Sequence, residues 1–185
     1  MLFGSAEALT RCEQYRTEIR QWHWFYFGAD YPYHYGVAQA QQESNCRATV
    51  TSFDGGEGLF QFTGATKNWT RQQMGENLDF YNPHNAIKAG AWYMFRLHKQ
   101  NWDGALWLDY QAFNGGWTLL KKEKIRAGIT DHDLMFIACQ RKVITLKSGS
   151  LLDFCVVNYS YSNQIYSKAN KYRLMGDGKW RFWNQ

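Results

Sequence analysis

The chain contains only two prolines, Pro32 and Pro83. It also has no apolar run approaching the roughly eighteen residues that a membrane-spanning helix needs, so stable membrane insertion is not expected. It lacks a Gly-rich phosphate loop, an HExxH pair, a GxSxG elbow and a placed Ser-His-Asp set. These gaps set aside P-loop nucleotide chemistry, zinc-protease chemistry and α/β-hydrolase chemistry. Cysteine is scarce: Cys12, Cys46, Cys139 and Cys155 lie far apart, without CxxC spacing or a Cys/His cluster. A structural metal is therefore not expected and no cofactor is implied; one or two disulfides fit the count but nothing indicates them, and the cysteines read as isolated buried thiols. The five histidines are scattered and read as surface or half-buried side chains rather than ligands. No segment has the layout of a secretory leader. Repeats, linkers and low-complexity tracts are absent, so residues 1–185 are expected to form one domain, with room for two lobes.

What the chain does have is aromatic residues, 18% of the total, in a composition that is otherwise ordinary for a globular protein, 45% hydrophobic and 20% charged. Part of that load is expected in the core and part can line a groove. Flat rings pack on sugar faces while an indole or hydroxyl group keeps a polar partner. The formal charge of +5 favours encounter with an anionic polymer. The basic residues are dispersed, and the densest run, Lys121-Lys122-Glu123-Lys124, reads as a solvated helix face. Nucleic acid is not an expected partner.

Hydrophobic spacing predicts a mainly α chain with a small β element near residues 49–63. Ser5 can cap a first helix whose stripe runs through Leu9, Cys12, Ile19, Trp22 and Tyr26, until Asp30-Tyr31-Pro32 breaks it. A second helix is expected over Tyr35 to Cys46, a short extended hairpin around Asp54-Gly55-Gly56, and a third helix near 64–75. Asn82-Pro83 is a strong helix start. Asp103 is expected to cap a helix that stops near Gly115-Gly116, and another over 118–127 ends at Gly128. Thr130-x-x-Asp133 and Ser150-x-x-Asp153 resemble capping boxes, the second opening a last helix towards Tyr172.

One acid is placed unusually. Glu43 falls in the last turns of a short, small-residue helix, fifteen residues before Gly58-Leu59-Phe60-Gln61. That is enough chain to leave the helix, turn and come back beside the carboxyl. Cleaving a glycosidic bond requires a proton on a poor leaving oxygen. A glutamic acid supplies it near neutral pH only where desolvation keeps it protonated. On periodicity alone Glu43 would be a solvated helix-end acid.

The segments Gln42-Glu43-Ser44, Gly58-Leu59-Phe60-Gln61-Phe62 and Ala112-Phe113-Asn114-Gly115-Gly116, in this order and spacing, resemble the signatures of the soluble lytic transglycosylase catalytic domain, which is similar in fold to goose-type lysozyme. Asn82 to Gly90 resembles a further helix of that family, and the resemblance spans residues 35–166. Three positions depart from the pattern. Phe60 stands for Met, Phe113 for Tyr, and Val157 for the glutamate that opens the last motif, where Tyr161 aligns with the family tyrosine.

The resemblance implies a lysozyme-like α+β fold and a peptidoglycan lytic transglycosylase that breaks the MurNAc-β-1,4-GlcNAc bond and leaves 1,6-anhydromuramyl ends. Glu43 would act first as acid, then as base. Ser44 would orient its carboxyl or touch the sugar, or else cap the helix. Gln61 would bond to substrate or position Glu43, or else face water, and Phe60 would support the cleft wall. Asn114 would bind the muramyl acetamido group, or else cap its helix. Tyr161 would donate a hydrogen bond near Glu43, or else sit in the core. Any hydrogen bond from the hydroxyl that Phe113 lacks would be lost, or be supplied by Tyr110 or Tyr159.

Two alternatives stand beside this reading. Asp54 or Glu57 could supply the second carboxylate of a hydrolytic muramidase. A non-catalytic glycan-binding or structural virion domain is the other. A monomer acting on wall glycan strands is expected. Without a leader it would be a phage product, either an endolysin freed at lysis with the help of a holin or a virion component that opens the wall during infection.

Overall fold

The computed structural model describes residues 11–146, 148–173 and 180–183; Ser5 and Leu9 of the expected first helix lie outside them. The helices are α1 (Arg16–Phe27), α2 (His34–Ser44), α3 (Gly64–Met74), α4 (Pro83–His98), α5 (Leu106–Gly115), α6 (Trp117–Ala127), α7 (His132–Ile137) and α8 (Phe154–Ala169). One antiparallel pair, β1 (Val143–Thr145) and β2 (Leu151–Asp153), lies between α7 and α8 with Ile144 opposite Leu152. The chain divides into two compact units, Met1–Phe95 with Ile165–Lys179 and Arg96–Gln164 with Trp180–Gln185. The fold is mainly helical with a small antiparallel sheet.

In the first unit α2 is the central element. Every residue from Tyr31 to Gln41 is buried, as befits a helix covered on all sides. Small residues make this packing feasible. At Gly36 an added Cβ would lie 2.5 Å from Cε1 of His23 on α1, so α1 and α2 meet only because that side chain is absent. His23 is completely buried and its Nδ1–H donates to the Ile19 carbonyl at 2.8 Å. His34 is buried too. The expectation that the histidines are surface or half-buried therefore fails at both positions, because helix packing closes over them.

Burial, the larger influence on His23, holds its pKa down to about 4 from the ordinary 6.5, against the opposing pull of the Ile19 carbonyl. A lowered histidine pKa contributes stability above pH 6.5 that is lost as pH falls towards 4. The shift corresponds to about 3 kcal/mol. Urea midpoints should fall between neutral pH and pH 4, and His23→Gln should flatten the trend. Asp109 and Glu123, both raised chiefly by burial, act in the opposite direction, so the variant isolates the His23 contribution.

Several helix boundaries obey the expected chemistry and others shift. Asn82 Oδ1 accepts from the backbone N–H groups of His84 and Asn85 at 2.9 and 3.3 Å, as its capping role requires. Asp103 does not cap α5. Asn101 organises that turn instead, accepting from the N–H groups of Asp103 and Gly104. The cap of α7 is Asp131, not Thr130; its side chain accepts from Asp133 and Leu134 N–H, while Thr130 accepts from Trp102 Nε1. Asp153, not Ser150, accepts from Cys155 and Val156 at the start of α8.

The cysteines are not isolated thiols. Cys12 pairs with Cys46 in the first unit and Cys139 with Cys155 in the second. Sequence separations of 34 and 16 carry no local signature; folding alone brings these positions together. The Lys121–Lys124 run is also not uniformly solvated. Lys121 and Lys122 are exposed, but Glu123 is buried and accepts from the Tyr159 hydroxyl at 2.7 Å.

Candidate active site

Glu43 is half-buried, one position before the last residue of α2. The helix ends tightly: Asn45 N–H reaches Gln41 O and Cys46 N–H reaches Ala40 O, at 3.0 and 3.1 Å. Asn45 and Cys46 both adopt left-handed backbone conformations, with φ of 54° and 56°. Asn accepts this conformation readily, but Cys46 is neither Gly nor Asn, and its conformation costs about 1–2 kcal/mol. The turn therefore needs external support.

Ser44 supplies part of it. Its buried Oγ lies 2.9 Å from Leu59 O and 3.1 Å from Ala40 O, and it accepts from Arg47 N–H at 3.2 Å. The hydroxyl has one proton, and the shorter contact is to Leu59. Ser44 thus ties the helix end, next to Glu43, to the Gly58 loop. Two arginines add to this, Arg47 Nε donating to Ser44 O and Arg11 Nη1 to Asn45 O, at 3.3 and 3.2 Å.

The loop opposite is equally specified. The expected β element at 49–63 consists of two isolated antiparallel bridges, Thr51 to Glu57 and Glu57 to Phe62. Positive φ at Gly55, Gly58 and Gln61 turns the chain too sharply for a longer ladder. Gly58 N–H donates to Val50 O at 3.0 Å. Gln61 turns its amide inward, and Nε2 donates to Gly58 O at 2.7 Å and to Val50 O at 3.4 Å. It braces the loop instead of facing water. Leu59, Phe60 and Phe62 are buried. An added Cβ at Gly90 would stand 2.9 Å from the Phe60 ring, so Phe60 packs directly on α4.

The two candidate second carboxylates are engaged locally. Glu57 forms an ion pair with Lys67 of α3, and Asp54, at the exposed tip of the turn, accepts from Ser52 Oγ. Sequence reasoning gave no role to the two glutamines before Glu43. Gln41 Oε1 accepts from the Tyr172 hydroxyl at 2.9 Å and Gln42 Oε1 from Lys168 Nζ at 2.5 Å. Two adjacent glutamines before a candidate acid were the available hint.

Glu43, Ser44, Phe60, Gln61, Asp54 and Glu57 all belong to the first unit, and Asn114 and Tyr161 to the second. Asn114 is exposed near the end of α5. It is not a cap, since the helix continues through Gly115 and closes at Gly116 with φ of 83°. Phe113 stacks on Tyr161, which is buried, with centroids 6.4 Å apart and planes within 10°. Neither expected substitute hydroxyl is available at the surface: Tyr159 donates to Glu123 within the core, and Tyr110 is buried against Phe182. Among the described residues no group of three or more His, Cys, Asp or Glu side chains is placed to hold a metal ion.

The structure is a lysozyme-like helical fold in which a glutamate-bearing helix end is bonded to a Gly-Leu-Phe-Gln turn. The chain belongs to the transglycosylase SLT domain family, whose model matches residues 30–136, more than half of its length. In fold it resembles the 70 kDa soluble lytic transglycosylase SLT70 from Escherichia coli, with a TM-score of 0.63 and 19% sequence identity. The match covers 83% of this chain and 24% of that one, so the chain spans about a quarter of that protein. No curated protein sequence matches it.

Proposed function

We propose that the protein is a peptidoglycan lytic transglycosylase with Glu43 as its sole catalytic carboxylate. The observation that carries this reading is the Ser44 Oγ to Leu59 O hydrogen bond. It joins the Glu-Ser helix end to the Gly-Leu-Phe-Gln turn within one unit, two of the segments that resemble the family's motifs.

In this mechanism the Glu43 carboxyl gives its proton to the oxygen between N-acetylmuramic acid and N-acetylglucosamine. The C1–O bond breaks, and positive character at the muramyl C1 is stabilised by the substrate's own acetamido oxygen. The Glu43 carboxylate then removes the proton of the muramyl C6 hydroxyl, which attacks C1. The carboxyl is restored, no water is consumed, and the product carries a 1,6-anhydro ring. One carboxylate does both steps. A paired-carboxylate hydrolase would need Asp54 or Glu57, and the Lys67 ion pair and the exposed turn tip favour the single-acid scheme. Asn114 is assigned to the substrate's acetamido group, while Tyr161, stacked on Phe113, supports that helix end.

Among the described residues no helix is long and apolar enough to cross a membrane. Two disulfides suit an oxidising compartment, which supports action on the wall outside the cytoplasm. Mass spectrometry of muropeptides released from purified walls tests the reaction. Products one water lighter than the hydrolysed species are expected; reducing ends of full mass would instead make the protein a muramidase.

A further inference from the structure

We infer that the Cys12–Cys46 disulfide is a positioning element of the active site, whose oxidation completes the turn that holds Glu43. This rests on the assignment of Glu43 as the catalytic acid. The bond joins a residue ahead of α1 to a residue three positions past Glu43. Its attachment point is Cys46, the second of two successive left-handed residues at the end of α2. Such conformations persist only where surrounding structure over-determines them.

Arg11, the neighbour of Cys12, donates to Asn45 O, the carbonyl immediately before Cys46. Covalent bond and hydrogen bond therefore act as one clamp across the same turn. Without it, Asn45 and Cys46 are free to move towards ordinary backbone conformations, and the link from Ser44 to Leu59 is carried off with the helix end. Misplacement of a catalytic group by an ångström is enough to cost orders of magnitude in rate.

Cys139–Cys155 provides an internal comparison. It joins the segment after α7 to the first turn of α8 and encloses the β1–β2 pair, in the unit that lacks Glu43. Both sulfurs of the Cys12–Cys46 bond belong to residues with essentially no exposure, 0% and 1%. A dithiol attacks them only after local opening. Reduction by dithiothreitol would break the Sγ–Sγ bond and leave two thiols, the reagent supplying two electrons and two protons and closing to its cyclic disulfide. A chain folded with these thiols reduced would hold its substrate site but turn over slowly. Oxidation by a small-molecule disulfide such as oxidised glutathione, which takes up the two electrons and two protons and leaves as two thiols, would switch it on, and burial would then keep it on.

The test compares the parent with Cys12→Ala/Cys46→Ala, Cys12→Ala/Cys46→Gly, Cys139→Ala/Cys155→Ala and Glu43→Gln. Circular dichroism sets a temperature at which each is folded, and kcat and KM are measured on soluble glycan strands. Cys12→Ala/Cys46→Ala should lower kcat about tenfold or more with little change in KM. Cys12→Ala/Cys46→Gly should recover part of that loss, since glycine accepts positive φ without a crosslink. The Cys139/Cys155 pair should stay near the parent. Equal loss from both disulfides, parental kcat in the Ala pair, or no recovery with glycine overturns the inference. So does failure of both Cys12/Cys46 variants to fold, which would make the bond a folding requirement instead. If Glu43→Gln keeps parental kcat, the acid assignment itself has failed. If it is inactive while the Cys12/Cys46 pairs remain parental, only the positioning role is lost.

Discussion

Glu43→Gln should slow the clearing of purified cell walls by roughly 10²- to 10⁴-fold, the contribution a positioned acid–base group makes. Glutamine keeps the shape of the side chain and removes its ability to give and regain a proton, so folding should be unaffected and the thermal midpoint close to that of the parent. Turbidity of a wall suspension, read beside a circular dichroism melt, checks both parts. Asp54→Asn and Glu57→Gln are the contrasting cases. Asp54 lies at an exposed turn tip and Glu57 is paired with Lys67, so neither change should approach the loss seen at Glu43. A loss at Glu57 matching that at Glu43 would point to a two-carboxylate hydrolase.

The largest stability effect is expected at Gly58. Its φ of +71° lies in the left-handed region, and an added Cβ would collide with the carbonyl oxygen of Phe80 and come within 2.9 Å of its carbonyl carbon. That carbonyl is backbone, and the Phe80 side chain is fully buried, so the neighbour cannot move aside. Gly58→Ala should cost about 3 kcal/mol or more, combining a strained backbone with a steric clash. For a chain of this size that is a fall in thermal midpoint of roughly 6–12 °C. A midpoint unchanged by the substitution would show that the loop is not held against Phe80 as described.

Where signals are local, the sequence was a good guide. Asn82-Pro83 started α4 because a side-chain acceptor and a missing N–H act within one turn. Glycine ended α6 at Gly128 for the same kind of reason. Glu43 drew notice through an ordered set of motifs, and the structure joins two of them by the Ser44 to Leu59 bond. Contacts between distant segments were not legible. The burial of His23 depends on Gly36 in another helix, and both disulfides depend on the finished fold. Glu123 looked solvated because its neighbours are lysines; its partner Tyr159 lies 36 residues away. The β pair was missed although Val143-Ile144-Thr145 is β-branched throughout, because the glycine-rich segment at 54–58 gave a stronger turn signal.

The unbroken burial from Tyr31 to Gln41 has a consequence for how the proposed activity is lost. Backbone amides in such a segment exchange with solvent only through the largest openings of the structure, whereas functional groups on loops are freed by small local ones. Here the proposed acid lies just past the end of such a buried segment. Heating should therefore leave turnover intact until the first unit comes apart as a whole, without an earlier phase in which the chain is folded but its catalytic end has frayed.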